Sequence, residues 1–256
     1  MTTSPTRLTP NINLVEQPAE ELKEKCKHGT PGGCWQCDEE ARDKRREEQQ
    51  KQELRDSLSD MTPHLKQANI PQKYIHSTFE TFIGNEKLAA ELQKTDNENI
   101  VLYGNTGCGK THLAVAIIRN EFIKNINTLL KRDLCGRQAV VKRILFKPVP
   151  DLLLEIRQSF RNDAQLSEEA IINKYCGANL LVLDDLGSEK TSEYSITTLY
   201  IIIDRRDRDL LPTIITTNLS QKEIEEKLGA RIASRLAGMK NIKINMPDYR
   251  KKRVSK

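Results

Sequence analysis

The sequence predicts an α/β domain in which a parallel sheet is flanked by helices, preceded by a small helical module. Three observations carry this prediction. Short apolar runs alternate with helical patterns through the second half of the chain, as strands buried on both faces require. The string GNTGCGKT at 104–111 follows one such run, NIVLY, and opens the helical pattern HLAVAII. A second run, LLVLDDLG at 180–187, ends in two adjacent carboxylates.

In chain order, residues 1–25 carry three prolines and several threonines and asparagines, which suits a weakly ordered lead-in. Residues 38–58, DEEARDKRREEQQKQELRDSL, are good helix formers with Glu and Lys/Arg interleaved at three- and four-residue spacings, as in an exposed connecting helix. NIPQKYIHSTFETF (69–82) reads as an ordered linker, with Pro71 breaking the preceding helix and aromatics at 74, 79 and 82. The alternating texture follows: NIVLYG (99–104), HLAVAIIRNEFI (112–123), AVVKRILF (139–146), VPDLLLEIRQSF (149–160), NLLVLDDLG (179–187), ITTLYIIIDRRDRD (196–209) and PTIITTN (212–218). There is no internal repeat. The expected organisation is a module at 1–60, a linker at 61–95 and an α/β domain at 96–256.

The 256 residues are 37% apolar and 30% charged, enough for one good core and an appendage. No apolar run approaches the ~18 residues of a membrane span. The N-terminus lacks a signal-peptide pattern, so a cytoplasmic protein is expected. The net charge of +5 is unevenly spread: residues 231–256 hold nine Lys/Arg and one Asp, and 128–147 hold six positive residues against Asp133. Localised positive charge points toward nucleic acid, although solvated side chains explain any single run as simply.

GNTGCGKT fits G-x-x-x-x-G-K-[ST] in the strand-to-helix setting that the motif demands. Gly104, Gly107 and Gly109 allow a tight turn whose N–H groups, with those of Asn105, Thr106, Cys108 and His112, surround phosphates at a helix N-terminus. Lys110 reaches the β- and γ-phosphates of ATP, and Thr111 offers its hydroxyl to Mg²⁺. Asp184 holds Mg²⁺ through its water shell, and Asp185 polarises the attacking water. Asn218 ends the next apolar run. Since Ser220 is the better cap for the following helix, Asn218 is free to sense the γ-phosphate. In GARIASRLAG (229–238), Arg231 and Arg235 lie on one helical face, suited to an arginine finger reaching a neighbouring subunit's nucleotide.

Together GNTGCGKT, LLVLDDLG, TIITTN and the R-x-x-x-R of GARIASRL resemble the AAA+ ATPase core of the DnaC/DnaI-type helicase loaders and the related IstB transposition helpers. IPQKYIHSTFETF and INMPDYR extend the likeness, which runs from about Pro71 to Arg250. The resemblance implies an AAA+ P-loop fold without a C-terminal lid domain, since only 38 residues follow Asn218. It also implies ATP hydrolysis and self-association through the finger arginine. The partners it implies are a DnaB-type hexameric helicase, gripped by the N-terminal module, and single-stranded DNA. Lys131, Arg132, Arg137, Lys142, Arg143, Lys147 and Phe146 fall in the DNA-facing insertion of that branch; for each, a buried strand flanked by solvated charges is the competing reading. Two other functions stand beside loading: a transposition helper, and a nucleotide-gated DNA-binding module without significant turnover.

Cys26-x-His28 and Cys34-x-x-Cys37 are separated by the loop GTPGG. Two paired ligand sets around a tight reversal match a closed structural zinc site, with metal supplying most of the folding energy. A redox C-x-x-C would need a thioredoxin-like strand and helix, which the charged neighbours do not offer. DnaI-type loaders resemble this chain in carrying such a module. Trp35, the only tryptophan, sits between ligands and is the expected partner contact.

Overall fold

The computed structural model describes residues 35–132, 141–161, 165–190 and 192–252. The chain divides into two compact units, Met1–Arg46 and Glu47–Lys256. Cys26, His28, Cys34 and the side chain of Cys37 lie outside the described residues, as does Arg137. In the first unit the described part is the start of helix α1 (Trp35–Ser59), where the Trp35 side chain is exposed.

Among the described residues, the second unit is built on a five-stranded sheet whose neighbouring strands all pair in parallel. From the end of α1 the chain passes through α2 (Thr62–Gln67), a 3₁₀ turn at Gln72–Tyr74 and α3 (Glu86–Gln93) before β1 (Ile100–Tyr103). Then follow α4 (Lys110–Lys131), β2 (Ile144–Pro148), α5 (Val149–Gln158), α6 (Glu168–Cys176) and β3 (Leu180–Leu186). The remainder is α7 (Glu193–Arg208), β4 (Thr213–Thr217), α8 (Gln221–Leu228), α9 (Ala230–Ala237), β5 (Lys240–Lys243) and α10 (Tyr249–Lys252). The strand order is β2-β3-β4-β1-β5. Register pairs Val101 with Ile215 and Phe146 with Val182.

Successive strand residues point to opposite faces. Ile100, Leu102, Ile144, Phe146, Leu180, Val182 and Ile214 therefore pack with α2, α3 and α4 on one side. Val101, Leu145, Leu181, Leu183 and Ile215 pack with α5 to α9 on the other. Two-sided burial explains why these strands read as continuous apolar runs. Truncating Leu181, which is fully buried, to Ala would cost about 2–5 kcal/mol. Leu54, on the largely polar α1, is buried against Ile126 and Leu129 of α4, with Leu58 packed beside it.

Two expectations change. The stretch at 61–95 is part of the core rather than a connector: Met61, Leu65, Ala68, Ile70, Ile75, Phe79, Phe82, Leu88 and Leu92 all join the cluster on the α4 side. Polar residues between these positions had masked the burial. Phe146 is fully buried in the same cluster, so it offers no base-stacking surface. Its neighbour Lys147 is ion-paired to Glu155 at 2.6 Å, and Lys142 lies 3.8 Å from Glu121. Strand β5 was not anticipated, because its sequence, KNIK, carries one apolar residue on an edge.

Candidate nucleotide-binding site

The carboxyl ends of β1, β3 and β4 converge on one cavity of about 530 Å³. Strand β1 runs directly into the glycine loop, and Gly109, in a left-handed conformation (φ 97°), caps the start of α4. Residues Thr106 to His112 line the cavity, together with Asp184, Asp185, Thr216 and Asn218. The P-loop, the paired aspartates and Asn218 are thus brought together, as their order along the chain implied.

Lys110 is 7% exposed. Its ammonium donates to Gly104 O and Asn105 O at 2.8 Å each and to Asn218 Oδ1 at 2.5 Å, and Cys108 Sγ lies at 3.8 Å. Thr111 Oγ1 donates to Asp184 at 3.0 and 3.2 Å from the two carboxylate oxygens. Burial, the largest influence, raises the Asp184 pKa, against the hydrogen bonds from Thr216 and Thr111 and the charge of Lys110. Asp185 sits at φ 60°, a conformation uncommon for a side chain bearing a Cβ. Its carboxylate accepts from Asn218 Nδ2 at 3.2 Å. Ser220 caps α8 in a reciprocal box with Glu223, so Asn218 is free for the site.

The donor set fits a magnesium nucleotide. Thr111 and Asp184 form a hydroxyl–carboxylate pair of the hard-oxygen kind that Mg²⁺ takes, and beside them stands Lys110, whose three acceptors are all neutral oxygens that phosphate oxygens can replace. Thr216 is a site residue that the sequence reading missed. Its hydroxyl donates to Asp184 Oδ1 at 2.6 Å and accepts from the Asp185 N–H at 2.9 Å, tying both aspartates to β4. The signal was present: in TIITTN, Thr216 lies two residues before Asn218 and so faces the same side.

The segment at 73–83 forms the opposite wall, through Lys73, Tyr74, His76, Ser77, Thr81, Phe82 and Ile83. His112 fastens that wall, with Nε2 at 2.8 Å from Thr78 O and 3.3 Å from Thr81 Oγ1. Arg231 and Arg235 are not among the residues lining this cavity. Arg235 donates to Asp204 Oδ1 at 2.7 Å and lies 3.5 Å from Asp207, while the Arg231 guanidinium lies over Tyr200, 5.9 Å from the ring centroid.

A parallel sheet that places a P-loop, paired aspartates and a polar strand end around one cavity defines a P-loop nucleotide-binding domain of the AAA+ type. Residues 38–256 match the profile of the IstB-like ATP binding protein family, and the chain belongs to that family. It is similar to the replicative helicase loader DnaC of Escherichia coli K12, at 32% identity over 138 residues, 54% of this chain and 49% of that protein. The DnaC of Buchnera aphidicola subsp. Baizongia pistaciae is 28% identical over 200 residues, 73% of this chain and 75% of that one. The chain spans about half the length of the first of these relatives. Among solved structures, a DnaC helicase loader superposes with a TM-score of 0.53 at 21% identity, covering 68% of this chain and all of that one. DnaI gives 0.51 at 22% identity, covering 70% and 93%. DnaA bound to AMPPCP and single-stranded DNA gives 0.54 at 21% identity, covering 70% and 51%. At these identities the structural likeness establishes the fold. Among the described residues, no helix is long and apolar enough to cross a membrane.

Proposed function

We propose that this protein is a cytoplasmic, ATP-dependent loader that binds a DnaB-type replicative helicase and delivers it to single-stranded DNA. The observation that carries the reading is the run of relatives named replicative helicase loader, one matched over 73% of this chain and 75% of its own length. The site geometry supports the ATPase part. Lys110 exchanges its present acceptors for β- and γ-phosphate oxygens, which releases Asn218 toward the γ-phosphate. Magnesium, held by Thr111 and Asp184, would supply counter-charge to the phosphates. Asp185 takes the proton of a water as the water oxygen bonds to the γ-phosphorus and the bond to the ADP oxygen breaks. ADP and phosphate leave, and the proton returns to solvent.

Arg235, with Arg231 beside it, is proposed to act on the nucleotide of a neighbouring copy. Arg235 does not line its own chain's cavity, which supports this role, and turnover stimulated by DNA or partner is proposed to depend on it. Exposed Lys131 and Arg132 are proposed to contact single-stranded DNA. Zinc on Cys26, His28, Cys34 and Cys37 is proposed to shape the helicase-gripping module, with exposed Trp35 as a contact.

Co-purification of the full chain with a hexameric helicase tests the assignment, and capture of a transposase instead would favour the alternative of a transposition helper. Asp185→Asn separates turnover from a binding-only switch, since unchanged ATP consumption would remove the proposed water-activating group. Metal analysis is expected to find one zinc per chain, lost in Cys34→Ser/Cys37→Ser.

A further inference from the structure

The chain leaves β3 through a tight loop at 185–189 that begins with the proposed water-activating aspartate. Asp185 sits at φ 60° and Gly187 at φ 87°, so two of the loop's first three residues occupy the left-handed region. For Asp185 that conformation is costly, and it persists only where the surroundings impose it. Strand β4 imposes part of it. The Asp185 N–H donates to Thr216 Oγ1 at 2.9 Å, and Thr217 Oγ1 donates to Leu186 O at 2.7 Å. Ser188 closes the turn, with its N–H at 3.3 Å and its Oγ at 2.8 Å from Asp185 O.

Two charged side chains that do not line the cavity hold the apex of this loop. Glu189 Oε2 accepts the Gly187 N–H at 3.0 Å, and Lys227 Nζ, from the last turn of α8, donates to Gly187 O. Gly187 has little room to move, since a Cβ there would stand 2.3 Å from Leu219 Cδ1. Glu189 is poorly chosen for stability alone. Among the described residues, its Oε1 is buried with no hydrogen-bond partner. Burial, the largest influence, raises the Glu189 pKa against backbone hydrogen bonds and the charge of Lys227, and the Asp185 charge adds to the rise. A carboxyl whose pKa rises on folding weakens the fold as the pH climbs above its unfolded value. Stability therefore does not explain this residue.

We propose that Glu189 and Lys227 are positioning residues for ATP hydrolysis, clamping Gly187 from both sides so that Asp185 stays aimed at the attacking water. The inference deepens the proposed function and rests on Asp185 being the water-activating group. Glu189 fixes the N–H of Gly187 and Lys227 fixes its carbonyl, so neither peptide beside Gly187 can turn while both hold. With the clamp released, Asp185 can relax toward an ordinary negative φ and swing its carboxylate away from Asn218 Nδ2, which now lies at 3.2 Å. Lys110, Thr111 and Asp184 lie outside the loop, so nucleotide binding survives and turnover suffers.

The test is steady-state ATP hydrolysis by the full-length protein, alongside thermal melts and titration with AMPPCP, a non-hydrolysable ATP analogue. Glu189→Ala is expected to lower kcat about tenfold or more, the scale of a misplaced catalytic group, with KM and AMPPCP affinity within about twofold of the wild type. Its melting point is expected not to fall. Glu189→Gln keeps an acceptor for the Gly187 N–H and is expected to restore most of the lost turnover. Lys227→Met releases the other side and is expected to reproduce the selective fall in kcat, so the clamp is tested even if Glu189→Ala folds poorly. In an Asp185→Asn background, Glu189→Ala is expected to add nothing, because its effect runs through Asp185. A kcat within about twofold of the wild type in both clamp variants, or a further fall in the Asp185→Asn background, would overturn the proposal. Wild-type protein that binds AMPPCP without hydrolysing ATP, or undiminished turnover in Asp185→Asn itself, would instead overturn the reading of the site on which it rests.

Discussion

Two buried cations stand near opposite ends of the same strands, and their surroundings differ in kind. Arg206, on the last turns of α7, is fully buried. It donates to Thr213 Oγ1 at 2.9 Å, to Tyr175 O, Cys176 O and Ala178 O at 3.0, 2.9 and 2.7 Å, and to Pro212 O at 2.7 Å. These acceptors belong to the segments entering β3 and β4. Burial lowers the Arg206 pKa to about 10, which leaves it charged at neutral pH. Lys110, at the other end, bonds two carbonyls of its own loop and one side-chain amide on an open cavity. Both charges are desolvated, and both donate their hydrogen bonds to neutral oxygens rather than to carboxylates. The Arg206 acceptors, four backbone carbonyls and the buried Thr213 hydroxyl, are fixed within the fold with no route for a ligand to replace them. Those of Lys110 can be exchanged for phosphate oxygens. One cation staples the sheet, and the other waits for a ligand.

The largest expected effect breaks the staple. Arg206→Met leaves several buried carbonyls without donors and is expected to cost about 3–5 kcal/mol in urea unfolding. If the loss were under about 1 kcal/mol, the cage would be incidental. Lys110→Met is the matching experiment: AMPPCP affinity should fall by about a hundredfold while unfolding stability stays within about 1 kcal/mol of the wild type. A Lys110 variant as unstable as the Arg206 variant would erase the contrast.

Thr216→Val sharpens the boundary between the two behaviours, because Thr216 is buried yet serves the site. It should cost about 1–3 kcal/mol of stability and weaken Mg²⁺-dependent nucleotide binding at the same time. The smallest effect concerns Glu155. Burial raises its pKa, but hydrogen bonds from Lys147, Tyr175 and Lys174 outweigh this and hold the carboxyl at about 2, below the ordinary 4.5. Its ionised form therefore stabilises the fold above about pH 4.5, and that contribution fades as the pH falls toward 2. Glu155→Gln should lower the melting point modestly at pH 7, with the difference shrinking as the pH falls from 4.5 toward 2. A gap that stays constant across that range would show that shape rather than charge is responsible.

The ligand end of the sheet was largely legible in the sequence, and the staple end was not. Phosphate chemistry tolerates few residue types, so GNTGCGKT and LLVLDDLG announce their roles, and Ser220 released Asn218 on capping grounds alone. Arg206 sits in IDRRDRD, which looks like a solvated charge run. What distinguishes it is position: Leu199, Ile202 and Ile203 mark the buried stripe of α7, and Arg206 continues that spacing. Thr216 gives no signal of its own, because a threonine inside a buried strand is as ordinary there as the neighbouring Thr213 and Thr217. INMPDYR at 244–250 was legible as part of the family likeness, but its place against Gly107 was not, because a short edge strand and a loop carry no periodic signal. The metal reading of the cysteine cluster falls on residues outside those described.

The two margins of the sheet bear on how copies of this chain can meet. On the β2 margin, the Phe146 N–H is taken by Ala68 O at 2.8 Å, so the core segment before α3 covers part of that edge. On the β5 margin, the strand is four residues long and carries Lys240 and Lys243. Short, lysine-bearing or covered margins resist strand-to-strand pairing between molecules. Contact between copies through these margins would therefore be steered away from sheet extension, which can run on into aggregates, and toward side-chain contacts between faces, which can come apart again.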